Sequence, residues 1–67
     1  MREDDVGLAA GRIWAYLEVR GPSSVSRVAR GVEGGQQLVL MGLGWLAREG
    51  KLDFVEEGRQ RLVSLKR

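Results

Sequence analysis

The hydrophobic period changes once along this 67-residue chain, and that change limits the folds that the chain can adopt. Before Gly50, apolar residues recur every three or four positions, as they do on one face of a helix. After Gly50 they alternate, with Leu52 and Phe54 on one side, a turn over residues 56–60 and a return over residues 62–65. The sequence therefore predicts helices followed by a β-hairpin.

The first helix is predicted over about Asp5–Arg20. Asp4 or Asp5 suits its N-cap, because a carboxylate accepts hydrogen bonds from the free amides of the first turn and complements the positive end of the helix dipole. Gly21-Pro22 ends the helix, since glycine tolerates a left-handed cap and proline lacks the amide hydrogen that continues the ladder. The apolar face consists of Val6, Ala10, Ile13, Trp14 and Leu17.

Two further helical segments follow. Ser24 is placed to cap a second helix over residues 25–30, because its hydroxyl can accept a hydrogen bond from the first turn. The glycines of residues 31–35 predict a tight reversal with positive backbone dihedrals. A third helix starts in that reversal and ends at Gly50. The order of helix, short strand, helix, turn, helix and hairpin is that of a winged helix-turn-helix.

We therefore predict one domain over residues 1–67, mainly α with a small antiparallel β-hairpin, in which three helices carry a wing. The chain contains no cysteine, so packing alone has to hold its small core. The predicted core residues are Ile13, Leu17, Val28, Leu38, Trp45, Leu46, Leu52 and Phe54.

The third-helix sequence Met41-Gly-Leu-Gly-Trp-Leu-Ala-Arg-Glu49, followed by Gly-Lys-Leu, resembles a small winged-helix family of bacteria and archaea. The resemblance extends to the Ala9-Ala-Gly-Arg-Ile-Trp14 segment of the first helix and to Ser24-Val-Ser26. Members are free-standing chains of about this length, so the resemblance implies the winged-helix fold for nearly the whole chain. It implies no function, because the family has none that is settled.

Enzymatic function is not expected. The chain has neither histidine nor cysteine, and the nearest carboxylate grouping, Asp53, Glu56 and Glu57, is interpreted as a solvated hairpin edge. The glycine-rich turn precedes Gln36-Gln37 rather than the Lys-Ser/Thr pair of a phosphate-binding loop. We predict no catalytic residue, no metal, no cofactor and no small-molecule substrate.

A membrane location is not expected either. The longest uncharged stretch, residues 34–47, is shorter than the roughly 20 apolar residues of a membrane span. The acidic N-terminal residues do not lead into a signal-peptide core, so a cytoplasmic location is predicted. The net charge of +2 and the pI near 9.7 point weakly to nucleic acid.

The first functional hypothesis is a DNA-binding domain of the transcription-regulator type. It places the third helix toward the major groove of double-stranded DNA and the wing on the phosphate backbone. Glutamine amides can read adenine edges, and arginines can meet phosphates. The candidate nucleic-acid-binding residues are Arg27, Arg30, Gln36, Gln37, Arg59 and Arg61.

The alternative is a protein–protein interaction or homodimerisation module that does not bind DNA. The third helix is apolar almost all round and has no cation before Arg48, whereas a groove-reading helix usually shows a polar or basic outer face. Such a helix is either buried on most sides or meets a partner. The candidate interface residues are Leu40, Leu43, Gly44, Ala47 and Tyr16, the last as an exposed aromatic contact.

Two pairs of residues lead to further expectations. Gly42 and Gly44 lie inside the third helix, where each costs roughly 1 kcal/mol relative to alanine, so close approach of another helix is expected to offset them. Trp14 and Trp45 fall at helical core spacing and are expected to pack in the core, although aromatic residues also occur at interfaces.

Overall fold

The computed structural model describes residues 2–66, and within them it contains three helices and three strands. Their order is the one that the sequence predicts, so the winged helix-turn-helix architecture is confirmed. The elements are α1 (Glu3–Arg20), β1 (Ser23–Ser24), α2 (Val25–Gly31), α3 (Gln36–Arg48), β2 (Leu52–Glu57) and β3 (Gln60–Leu65).

Helix α1 begins two residues earlier than predicted and ends where predicted. Its N-cap is Arg2, so the expectation of Asp4 or Asp5 was wrong. Asp5 instead occupies the third helical position, where its Oδ2 accepts a hydrogen bond from the Arg2 backbone N at 2.9 Å. At the other end, Gly21 has a φ of 73°, and its N donates to the Leu17 O at 2.8 Å, which closes the last turn.

The cap of α2 is the predicted one. The Ser24 Oγ accepts a hydrogen bond from the Arg27 backbone N at 3.2 Å. Gly34 and Gly35 then reverse the chain with φ values of 125° and 89°, a region that favours glycine. Helix α3 follows with Gly35 as an N-cap that offers no side-chain hydrogen bond, and it ends at Arg48 rather than at the predicted Gly50.

The sheet is antiparallel, with strand order β1-β3-β2. Ser24 pairs with Leu62 in β3, so the residue that caps α2 is itself part of the sheet. In the hairpin, Glu57 pairs with Gln60, which leaves only residues 58–59 in the turn instead of the predicted 56–60. This register ties the start of α2 to the middle of β3, and β2 forms an edge of the sheet.

The core is formed by residues from all three helices and from β2 and β3. Of the predicted core residues, Trp45 and Leu38 are partly buried, and Phe54 was wrong because its side chain is 64% exposed. Phe54 shares a face with buried Leu52, but it lies in an edge strand, whereas its partner Val63 lies in the central strand and is covered. The predicted core residues that are confirmed as buried are Ile13, Leu17, Val28, Leu46 and Leu52.

The two glycines inside α3 differ in their surroundings. A Cβ atom on Gly42 would lie 2.8 Å from the Cδ1 of Ile13 and 3.1 Å from the backbone N of Ala10. The expectation of close helix approach is therefore confirmed at Gly42, where α1 crosses α3. At Gly44 no other described part of this chain approaches, since a Cβ there would have no neighbour within 4 Å.

Candidate nucleic-acid interface

Four of the six predicted nucleic-acid-binding residues line one open cleft. Arg27 and Arg30 reach it from α2, and Arg59 and Arg61 reach it from the hairpin wing. All four side chains are exposed. The remaining lining residues are Ser24, Val25, Ser26 and Gln60.

The strand register explains why these arginines meet. Because Ser24 pairs with Leu62, α2 starts directly beside the β3 residue that follows Arg61. Arg27 and Arg30 are three positions apart, which places both on the exposed side of a helix whose Val28 is fully buried. The two-residue strand β1 therefore brings one end of α2 and the wing to a common surface.

The cleft is electropositive. None of the eight residues that line it carries a carboxylate. Just outside the lining, the Arg61 Nε donates to the Glu56 Oε2 at 3.3 Å, and both side chains are well exposed. An ion pair in water contributes at most about 1 kcal/mol, so Glu56 does not prevent Arg61 from meeting an anion.

The two glutamines lie elsewhere. Gln36 and Gln37 are exposed in the first turn of α3 and line a different cleft, together with Gly34, Leu38 and Asp5 among others. The structure therefore does not bring the predicted base-reading amides into the arginine cleft. They occupy the N-terminal end of α3, which is the end that contacts base edges in helix-turn-helix proteins.

The candidate interface residues of α3 do not form one surface. Leu43 is 6% exposed and belongs to the core, so it is unavailable to a partner, and Ala47 packs against the core. Leu40, which is 43% exposed, and Gly44 do face solvent. At about 100° per residue Leu40, Leu43 and Ala47 lie in similar directions, but the core covers Leu43 and part of Ala47 and leaves Leu40 exposed.

Trp14 and Tyr16 of α1 both differ from their predicted burial. Tyr16 was expected to be the exposed contact, but it is partly buried against the core, with the Arg20 guanidinium carbon 5.3 Å from its ring centroid. Trp14 was expected in the core, but it is 43% exposed. It lines a shallow cleft with Gly7 and the partly buried Trp45. A wheel at about 100° per residue already places Trp14 at the margin of the apolar face, and this position was the missed signal.

Two other features are absent from residues 2–66. No helix there is long and apolar enough to cross a membrane. The same residues contain no group of three or more carboxylate, histidine or cysteine side chains that could hold a metal ion.

Sequence comparison agrees with this architecture. The family model described as a winged helix-turn-helix domain (DUF2582) matches residues 1–65. The chain belongs to the DUF2582 family. No curated protein matches the sequence.

Solved structures extend the comparison. The DUF2582 chain is similar to the solution structure of protein BT2368 from Bacteroides thetaiotaomicron, with a TM-score of 0.82 and 28% identity over 97% of this chain and 79% of that one. It is also similar to a structure reported for the DNA recognition and protein interaction domains of HOP2, in connection with the homologous DNA pairing properties of HOP2. That likeness has a TM-score of 0.68 and 30% identity over 87% of this chain and 98% of that one. The DUF2582 fold is that of a nucleic-acid or protein binding module.

Proposed function

We propose that this chain binds double-stranded DNA as a cytoplasmic, regulator-type winged helix. The arginine cleft, lined by Arg27, Arg30, Arg59 and Arg61, carries the proposal. Guanidinium groups form charge-assisted, often bidentate hydrogen bonds to phosphate oxygens, and four of them on one carboxylate-free surface match a nucleic-acid backbone. The similarity to a structure reported for the DNA recognition and protein interaction domains of HOP2 supports a DNA partner, and it supports a protein partner as well.

In the proposed complex the contacts divide by element. Arg27 and Arg30 on α2 and the wing arginines hold the phosphates and set the orientation of the domain. The N-terminal end of α3, with Gln36 and Gln37, is directed toward the major groove. Helix α3 has no cation before Arg48, so most of the affinity arises from the backbone contacts.

A salt titration tests this proposal. With four phosphate contacts, the logarithm of the affinity for a labelled duplex of about 30 base pairs falls against the logarithm of salt concentration with a slope of about −3.6. Fluorescence anisotropy of the duplex between about 50 and 200 mM salt measures this slope. The proposal is contradicted if no complex forms at the lowest salt, or if the affinity does not depend on salt.

The second candidate is the homodimerisation or protein-docking module. The observation in its favour is the exposure of Met41 and Leu40, at 51% and 43%, on the outer face of α3. Light scattering on the same samples distinguishes the two candidates, because a dimer whose mass does not change when duplex is added fits only the second.

A further inference from the structure

The solvent-facing side of α3 carries only amide and apolar side chains in its N-terminal half. Gln36 and Leu40 are one turn apart, as are Gln37 and Met41, and all four side chains are exposed. Gly44 continues the same face with open space above it. This surface, which we call the α3 outer face, consists of two amides and two apolar side chains.

These groups match only one kind of base pair. In the major groove, glutamine pairs with the N6 and N7 of adenine, and apolar side chains contact the methyl group of thymine. Guanine is read mainly by arginine or lysine, and the cytosine amino group by a carboxylate. Residues 36–47 contain no charged side chain of either sign. The α3 outer face therefore has partners for adenine and thymine and lacks the usual readers of guanine and cytosine.

We propose that the α3 outer face selects A·T base pairs, with Gln36 and Gln37 on adenine and Leu40 and Met41 on thymine methyl groups. This inference rests on the proposed DNA binding, and it names the sequence class of the duplex. Phosphate contacts in the arginine cleft position the domain, and the four side chains of α3 supply the discrimination.

Four charged residues lie near this face, and none of them belongs to its N-terminal half. Arg2 and Glu3 line a cleft with Met41 between α1 and α3. Arg48 lies twelve residues after Gln36, roughly 18 Å along the helix axis, at the end that does not enter the groove. Asp5 lines the cleft that contains the glutamines, but its Oδ2 already accepts the Arg2 backbone N at 2.9 Å. Its negative charge also repels phosphate, which favours an approach of the DNA backbone from the side of α2 and the wing.

The test compares three duplexes of equal length at the same salt: alternating A·T, alternating G·C, and A·T with every thymine replaced by uracil. We expect the affinity for A·T to exceed that for G·C by about tenfold or more. Removal of the methyl groups should cost about fourfold for each one contacted. The uracil duplex retains every base-pair hydrogen bond, so it isolates the methyl contact from adenine reading.

Variants assign the discrimination to residues. Leu40→Ala with Met41→Ala should remove the difference between thymine and uracil, and Gln36→Ala with Gln37→Ala should reduce the preference for A·T over G·C. All four positions are exposed, and circular dichroism verifies that the helices remain. Equal affinity of the wild type for all three duplexes overturns the A·T inference and leaves DNA binding in place. Absence of binding to every duplex at about 50 mM salt overturns the proposed function as well.

Discussion

Arg27→Glu should weaken duplex binding by about ten- to hundredfold, because it removes a charge-assisted phosphate contact and adds a repelling carboxylate. The same substitution should leave the protein at least as stable as before. Position 27 is the third residue of α2, and its backbone N already donates to the Ser24 Oγ. A glutamate there completes the Ser-x-x-Glu capping box and suits the positive end of the helix dipole. Loss of binding therefore cannot be attributed to unfolding.

Arg12→Glu is the matched control. Arg12 is exposed on α1 and does not line the arginine cleft, yet its replacement changes the net charge by the same amount. Anisotropy titrations of both variants at one salt concentration, together with urea unfolding, give the comparison. If both variants weaken duplex binding equally, the affinity depends only on the net charge of the protein. The arginine cleft would then not be the binding site.

Gly42→Gln should destabilise the fold by about 3 kcal/mol or more, because the new side chain has to push α1 away from α3 and bury an amide. The first added atom alone would lie 2.8 Å from the Cδ1 of Ile13, whose side chain is fully buried, and 3.1 Å from the backbone N of Ala10, which can move only with α1. For a domain of this size, each kcal/mol corresponds to a shift of roughly 4–8 °C in the melting temperature.

Gly44→Gln makes the same chemical change two residues later, but it should stabilise the fold slightly. A Cβ there meets nothing within 4 Å, and glutamine is the better helix former by about half a kcal/mol. Urea denaturation monitored by circular dichroism measures both variants. If both destabilise the protein equally, the close crossing of α1 and α3 at Gly42 is not the feature that requires glycine.

Local signals in the sequence were sufficient for most of the fold. The change of period after Gly50, the Gly21-Pro22 stop and the Ser24 cap each depend on neighbouring residues alone, and the structure agrees with all three. The start of α1 was missed because Asp5 acts from inside the helix, at its third position, rather than as the cap.

The burial of individual side chains was harder to predict, because it depends on which other elements of the fold pack against them. Phe54 has the correct alternation for a core residue, but it lies in the edge strand β2, where every residue after Leu52 is exposed. Tyr16 is partly covered by the turn near Gly31, a contact that the periodicity of α1 does not predict. A Cβ on Gly31 would lie 2.5 Å from the Tyr16 ring, which shows how closely that turn approaches.

The candidate site was predicted in its residues but not in its geometry. The arginines of α2 and of the wing were separate observations in the sequence, about thirty positions apart. Their convergence depends on the pairing of Ser24 with Leu62, a two-residue strand that is too short to produce a periodic signal. The glutamines of α3 line a separate cleft, together with Asp5 of α1 and the glycines of the turn that precedes α3.

The most direct test of the proposed DNA interface is a map of amide chemical-shift changes in isotope-labelled protein as an A·T duplex is added at low salt. The account predicts changes concentrated in α2, in the wing around Arg59 and Arg61, and in residues 36–41 of α3, with the indole signal of Trp14 unmoved. Changes concentrated at the Trp14 indole and absent from α2 and the wing, or no changes at all, would contradict it.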